Sequence, residues 1–132
     1  YVCPMRPKPT FTKVLRILLA IILLVFSLNG FFSFLSMPEP PQAAARFLQA
    51  LVEAGYVFPL LYGVEIIIGV LLLLNRYTPL ALLAFSPIAL NILLYHLVLD
   101  PIGGVVGYLT VLIEILLLMA YFRYYRSLLR KL

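Results

Sequence analysis

Residues 56–99 read YVFPLLYGVEIIIGVLLLLNRYTPLALLAFSPIALNILLYHLVL. Two apolar runs, 56–74 and 79–99, flank the link Asn75-Arg76-Tyr77-Thr78. Each run matches the roughly 20 residues that a helix needs to cross a bilayer core. A link this short allows only antiparallel neighbours. On the N-terminal side, a third apolar run covers 12–35 and stops at Ser36, Met37 and the cluster Pro38-Glu39-Pro40-Pro41. Proline lacks the amide hydrogen and clashes with the preceding turn, so a helix cannot continue there. A fourth run covers 104–121, after the short link Asp100 to Gly103. Between the first two spans, residues 42–54 place Ala45, Leu48, Leu51 and Val52 at helical spacing against the polar Arg46, Gln49 and Glu53. That pattern predicts a short interfacial helix. The expected fold is all-α: one transmembrane domain over 1–132, an up-down-up-down four-helix bundle with a short outer helix between spans one and two. Pro59 and Pro87 fall inside spans two and three, so kinks are expected at both.

Composition agrees with this reading. The chain has 132 residues, 64% of them hydrophobic and 11% charged, with a mean hydropathy of +1.11. Soluble domains hold about 45–50% apolar and about 25% charged residues. The single cysteine, Cys3, has no intrachain disulfide partner and forms no dithiol or thiolate cluster, and it is left without a role. The single histidine, His96, excludes a two-histidine haem site and a multi-histidine metal site within one chain, so no metal site is expected. The first apolar run exceeds the 7–15 residues of a signal-peptide core and is expected to remain in the mature protein.

Charge sets the orientation. Arg6, Lys8, Lys13, Arg16, Arg76, Arg123, Arg126, Arg130 and Lys131 fall on one side of the spans, and only Arg46 on the other. The positive-inside rule then predicts both termini in the cytoplasm, with the proline cluster, the interfacial helix and Asp100 outside. The net charge of +5 belongs to span flanks that meet anionic lipid headgroups, so nucleic acid is not an expected partner.

Ionisable groups at membrane depth cost about 2.5–3.5 kcal/mol each on insertion scales, which makes them functional candidates. Glu65, Asn91 and Glu114 fall near the midplane, while Asn29 and His96 lie about 10 Å outward at a rise of about 1.5 Å per residue. Ser86 is an uncharged companion. Each span supplies at least one of these groups, which predicts one inward-facing polar cluster opening outward. No lysine or arginine stands at the midplane, so burial and mutual repulsion favour a neutral carboxyl on at least one glutamate. Such a carboxyl can hold a quinone carbonyl, pass a proton or tie two helices together. His96 and Asp100 are four apart, so an outer-boundary pair between them is expected. The aromatic groups Phe31, Phe32, Phe34 and Tyr121, Phe122, Tyr124, Tyr125 read as interfacial belts. Gly103 and Gly107 fit a small-xxx-small helix contact.

With these residues in hand, the chain resembles the DoxX or DoxX-like family of small four-span membrane proteins. The resemblance runs through LNGFFSFLSMP at Leu28 to Pro38 and through Ala54 to Asp100, and with span four it covers about Lys13 to Tyr125. It rests on Asn29 and Gly30, on Glu65 and Gly69, on the link Asn75, Arg76 and Pro79, on Pro87, Asn91 and His96, and on Glu114. The resemblance implies a bacterial-type inner-membrane protein associated with quinone-linked oxidoreductases. The sequence carries no dithiol, nucleotide-binding glycine loop or haem pair, so no intrinsic cofactor is expected and a quinone is the implied ligand. Glu65, Glu114 and Asn91 would bind its polar head, with Asn29 as companion and His96 as a proton path outward. A soluble or membrane redox partner, or a second copy of the chain, is the implied protein partner. Two other readings stay open: a purely structural subunit, and a small proton-coupled carrier. The nine-to-one charge split argues against a dual-topology carrier.

Overall fold

The computed structural model describes residues 9–130. Cys3 and the charges Arg6, Lys8 and Lys131 lie outside the described residues. All regular structure among the described residues is helical: α1 (Pro9–Phe32), α2 (Gln42–Glu53), α3 (Val57–Leu73), α4 (Thr78–Val98), α5 (Val105–Ala120) and α6 (Phe122–Leu129). Helices α1 and α4 are each long and apolar enough to cross a membrane. The count rises to as many as four if the bent pairs α2–α3, at 89°, and α5–α6, at 65°, each form one span.

Helix α1 packs on α3 and α5, and α4 packs on the same two helices from the other side. The four share a core of Leu19, Leu23, Ile68, Leu72, Leu82, Phe85, Ile113 and Leu117. The opposite faces are as apolar as the core. Leu60, Ile67 and Leu80 are each more than 60% exposed. In water such faces would form an aggregation-prone patch, whereas against lipid tails they need no cover. Cohesion between the helices then rests on close packing and buried polar contacts, because burial from lipid supplies no hydrophobic driving force.

The contacts set helix directions. Arg16 reaches Leu72 at one end of the α1–α3 pair and Ser27 reaches Glu65 further along, so the two helices run antiparallel. Ser86 meets Glu114, and Tyr125, just beyond α5, meets Pro79 at the start of α4, so α4 and α5 are antiparallel too.

The helix ends follow local chemistry. Asn75 takes a left-handed φ of 52° just past α3. Its amide donates to Leu72 and that of Arg76 to Leu71, the paired bonds that close a helix C-terminus on a left-handed residue. At the end of α1, Ser33 has φ 51°, which stops the helix at Phe32 instead of Leu35. Gly55, with φ 84°, makes the sharp corner between α2 and α3, a conformation open to glycine because it has no Cβ.

Other expectations are corrected. Pro59 lies in the first turn of α3, where its missing amide hydrogen has no intrahelical partner to lose. Pro87 lies inside α4, where the sequence placed it. The buried side of α2 is centred on Ala44, with Leu48 and Leu51 half-buried, while Ala45 and Val52 face outward. The aromatic stretch after span four is not only a belt. It forms α6, an amphipathic helix whose Tyr125 hydroxyl donates to the Pro79 carbonyl at 2.6 Å.

Candidate functional site

The two glutamates occupy separate helix contacts. Glu65, in the middle of α3, is buried and accepts a 2.7 Å hydrogen bond from Ser27 Oγ on α1. The helices come close because Gly69 faces α1: a Cβ there would stand 2.8 Å from Leu24 Cγ. Gly30, further along α1, leaves room for the Tyr62 ring, which stacks on Phe58 at a centroid distance of 5.6 Å.

Glu114, in the middle of α5, is 2% exposed and meets Ser86 Oγ of α4 at 3.2 Å. Ser86 Oγ also lies 3.0 Å from the Leu82 carbonyl of its own helix. One hydroxyl hydrogen cannot serve both acceptors, and Glu114 Oε2 is buried with no partner among the described residues. A proton on Glu114 Oε1 would let it donate to Ser86 Oγ and free the Ser86 hydrogen for Leu82, while Oε2 stays without a partner among the described residues.

Asn29 ends a helix. Its Oδ1 accepts from the Leu35 amide at 2.7 Å and its carbonyl from the Ser33 amide at 2.7 Å, closing the chain reversal after α1. His96 and Asp100 meet, though not through the expected carboxylate. His96 Nδ1 lies 3.3 Å from the Asp100 main-chain carbonyl, while the Asp100 carboxylate turns back to accept from the Gly103 amide at 3.1 Å. A short side chain at a helix end favours such a local turn over a reach along the helix. The imidazole packs beside Tyr95 and Tyr108. A Cβ at Gly104 would stand 2.7 Å from His96 Cγ, and one at Gly107 would collide with the ring. These glycines thus seat His96 within the chain.

A lateral groove of about 640 Å³ runs between α2, α3 and α4. Its walls are apolar, with Phe47 and Leu51 from α2 and Phe58 and Leu61 from α3, and its α4 side carries Asn91, Tyr95 and His96. The Phe47 and Tyr95 rings face one another at 6.1 Å. Asn91 is exposed; its Nδ2 donates to the Pro87 carbonyl at 2.9 Å, which uses one of its two amide hydrogens. Volume and lining both fall in the range of small-molecule sites: mostly apolar, with a few polar groups on one side.

Of the residues singled out from the sequence, Asn91 and His96 come together on this groove. Glu65, Glu114 and Asn29 do not line it; each is engaged in a contact of its own. Two further residues matter that sequence reasoning passed over. Ser27, the partner of Glu65, shares a helix face with Leu19, Ala20 and Leu23, a spacing that marks it as inward. Arg16, counted only as a flanking charge, is 7% exposed. Its guanidinium donates to the carbonyls of Leu72 and, at 3.3 Å, Leu73 at the C-terminus of α3. Cations are favoured there by the helix dipole and by carbonyls that have no intrahelical partner. Among the described residues, no group of three or more His, Cys, Asp or Glu is gathered where it could hold a metal ion. Comparison with protein-family models, with curated proteins and with solved structures finds no match for this chain.

Proposed function

We propose that the chain is a DoxX-like integral membrane subunit of a quinone-linked oxidoreductase system, and that the groove beneath α2 holds a quinone or a similarly built lipid. In this reading α1, α3, α4 and α5 cross the inner membrane of a bacterial-type cell as an up-down-up-down bundle. Helix α2 lies in the outer interface and both termini are cytoplasmic. The outward apolar faces, the antiparallel contacts and the one-sided distribution of lysine and arginine support that placement.

The observation that carries the ligand reading is the groove itself, an apolar slot with Asn91, Tyr95 and His96 along one wall. A quinone is a flat apolar ring with two carbonyl acceptors and an isoprenoid tail. The unspent Asn91 amide hydrogen and the Tyr95 hydroxyl supply donors for a carbonyl, and the phenylalanine walls suit the ring. A carbonyl accepts, so the His96 contact with the Asp100 main chain puts a hydrogen on Nδ1 and ties the imidazole to the outer end of the bundle. His96 then serves as the path between a bound headgroup and the outer surface. Electrons pass to or from a partner that carries the redox cofactor.

Titrating a short-chain quinone into the protein in nanodiscs tests this through quenching of tyrosine fluorescence. Saturable quenching is expected for the wild type and a loss of at least tenfold in affinity for Asn91→Leu with Tyr95→Phe. Equal quenching in both proteins would overturn it. The glutamate pairs favour a second reading, a structural subunit, because each ties one helix to another. That reading expects no saturable quinone binding in either protein.

A further inference from the structure

A second cavity of about 640 Å³ opens at the other end of the bundle, between the starts of α1 and the α5–α6 corner, with Asn75 of the α3–α4 link beside it. Lys13, Arg16 and Arg123 line it together with Thr12 and Tyr124, and no Asp or Glu does. Three cations converge on one hollow with no acidic side chain of the described residues among its walls. Arg16 is committed to the end of α3. Arg123 is held in place: its Nη2 donates to Tyr124 Oη at 2.9 Å, and its guanidinium carbon sits 4.8 Å from the Tyr124 ring centre. Lys13 and Arg123 are exposed, so both keep donors to offer. The hollow sits where the apolar part of the bundle begins, against the first turns of α1 and the end of α5.

We infer that this cavity binds the phosphate of an anionic phospholipid, with Lys13 and Arg123 as its ligands and Arg16 as a fixed positive charge behind them. A phosphate is the chemistry that matches convergent cations with hydroxyl and amide neighbours. Its source is the bilayer because the hollow lies at the end of α1, a helix long and apolar enough to cross a membrane, where lipid headgroups meet flanking cations. The inference does not depend on the quinone reading, since the two cavities share no lining residue.

Native mass spectrometry of the detergent-solubilised chain, titrated separately with phosphatidylglycerol, phosphatidylcholine and inorganic phosphate, tests it. One phosphatidylglycerol is expected to bind in preference to phosphatidylcholine. Lys13→Gln with Arg123→Gln should weaken it about thirtyfold, on the scale of two surface cations. Arg126→Gln with Arg130→Gln, which removes the same charge from the exposed face of α6 and its end, should leave it within threefold. The exchange Lys13→Arg with Arg123→Lys should retain binding, and it serves as the test if the neutral pair fails to fold. Equal binding of the two lipids, equal losses in both charge-deleted pairs, or loss of binding in the charge-keeping exchange would overturn the inference. So would displacement of the lipid by millimolar inorganic phosphate, which would mark a soluble phosphate site.

Discussion

Gly107 of α5 makes the space that the His96 ring of α4 fills; a Cβ at that position would run into the imidazole. The ring is thereby held against α5, with Nδ1 at the Asp100 carbonyl and Tyr95 at its edge. Gly107→Val is expected to force His96 out of this seat and to destabilise the chain by about 1–3 kcal/mol, the usual cost of overpacking. Unfolding in mixed micelles measures the loss, and imidazole chemical shifts report the moved ring. An unchanged histidine spectrum in a folded variant would contradict this seating.

The bond from Ser27 to Glu65 joins α1 to α3 in the middle of the bundle. Glu65→Gln keeps an acceptor for the Ser27 hydroxyl and is expected to cost less than about 1 kcal/mol, whereas Glu65→Leu leaves Ser27 unpaired in hydrocarbon and should cost more. A double-mutant cycle with Ser27→Ala isolates the pair. The expected coupling is about 0.6–1.7 kcal/mol, the range of such bonds in membrane helices.

Arg16 closes the C-terminus of α3 from a neighbouring helix, a place where α3 has no basic residue in its own last turn. Arg16→Met keeps much of the apolar stem and removes the donors. A loss of about 1.5–3 kcal/mol is expected, as for hydrogen bonds to a charged group. Hydrogen exchange should speed up at Asn75 and Arg76 before it does in the centre of α3. Uniform exchange along α3 would argue that Arg16 acts only as a surface charge.

Tyr125 fastens α6 to the first turn of α4 through the Pro79 carbonyl. Tyr125→Phe removes this bond and should free α6 at a cost of about 0.5–1.5 kcal/mol, seen as faster proteolysis between Tyr121 and Arg130 with the remaining helices protected. Equal proteolysis of the two proteins would show that α6 is held by other contacts.

The main elements were legible because the physics that makes them is local. Runs such as Ile66 to Leu74, the Pro38–Pro41 stop and the amphipathic 42–54 stretch carry their meaning in neighbouring residues. The end of α1 shifted by three residues, because Ser33 adopts a left-handed φ that composition does not disclose. Helix α6 was hidden by its aromatics, which read equally as an interfacial belt. The polar residues were identified individually, but their grouping was not legible. Depth along a helix says that Glu65, Asn91 and Glu114 lie near one level, yet only rotation about each axis decides which of them meet. Rotation gave Glu65 to Ser27, Glu114 to Ser86, and Asn91 to the groove. Arg16 shows the same limit, since a count of flanking charges takes no account of a neighbouring helix end that needs a donor.

We propose that the groove beneath α2 holds a quinone-like lipid through Asn91 and its neighbours. Mass spectrometry of organic extracts from gently purified protein decides this, comparing wild type with Asn91→Leu/His96→Leu and with Glu65→Gln/Glu114→Gln. The expected result is a near-stoichiometric quinone in the wild type, retained in the glutamine pair and lost in the groove variant. A wild-type extract with no quinone, or one whose quinone disappears with the glutamines and survives the groove substitutions, would contradict it.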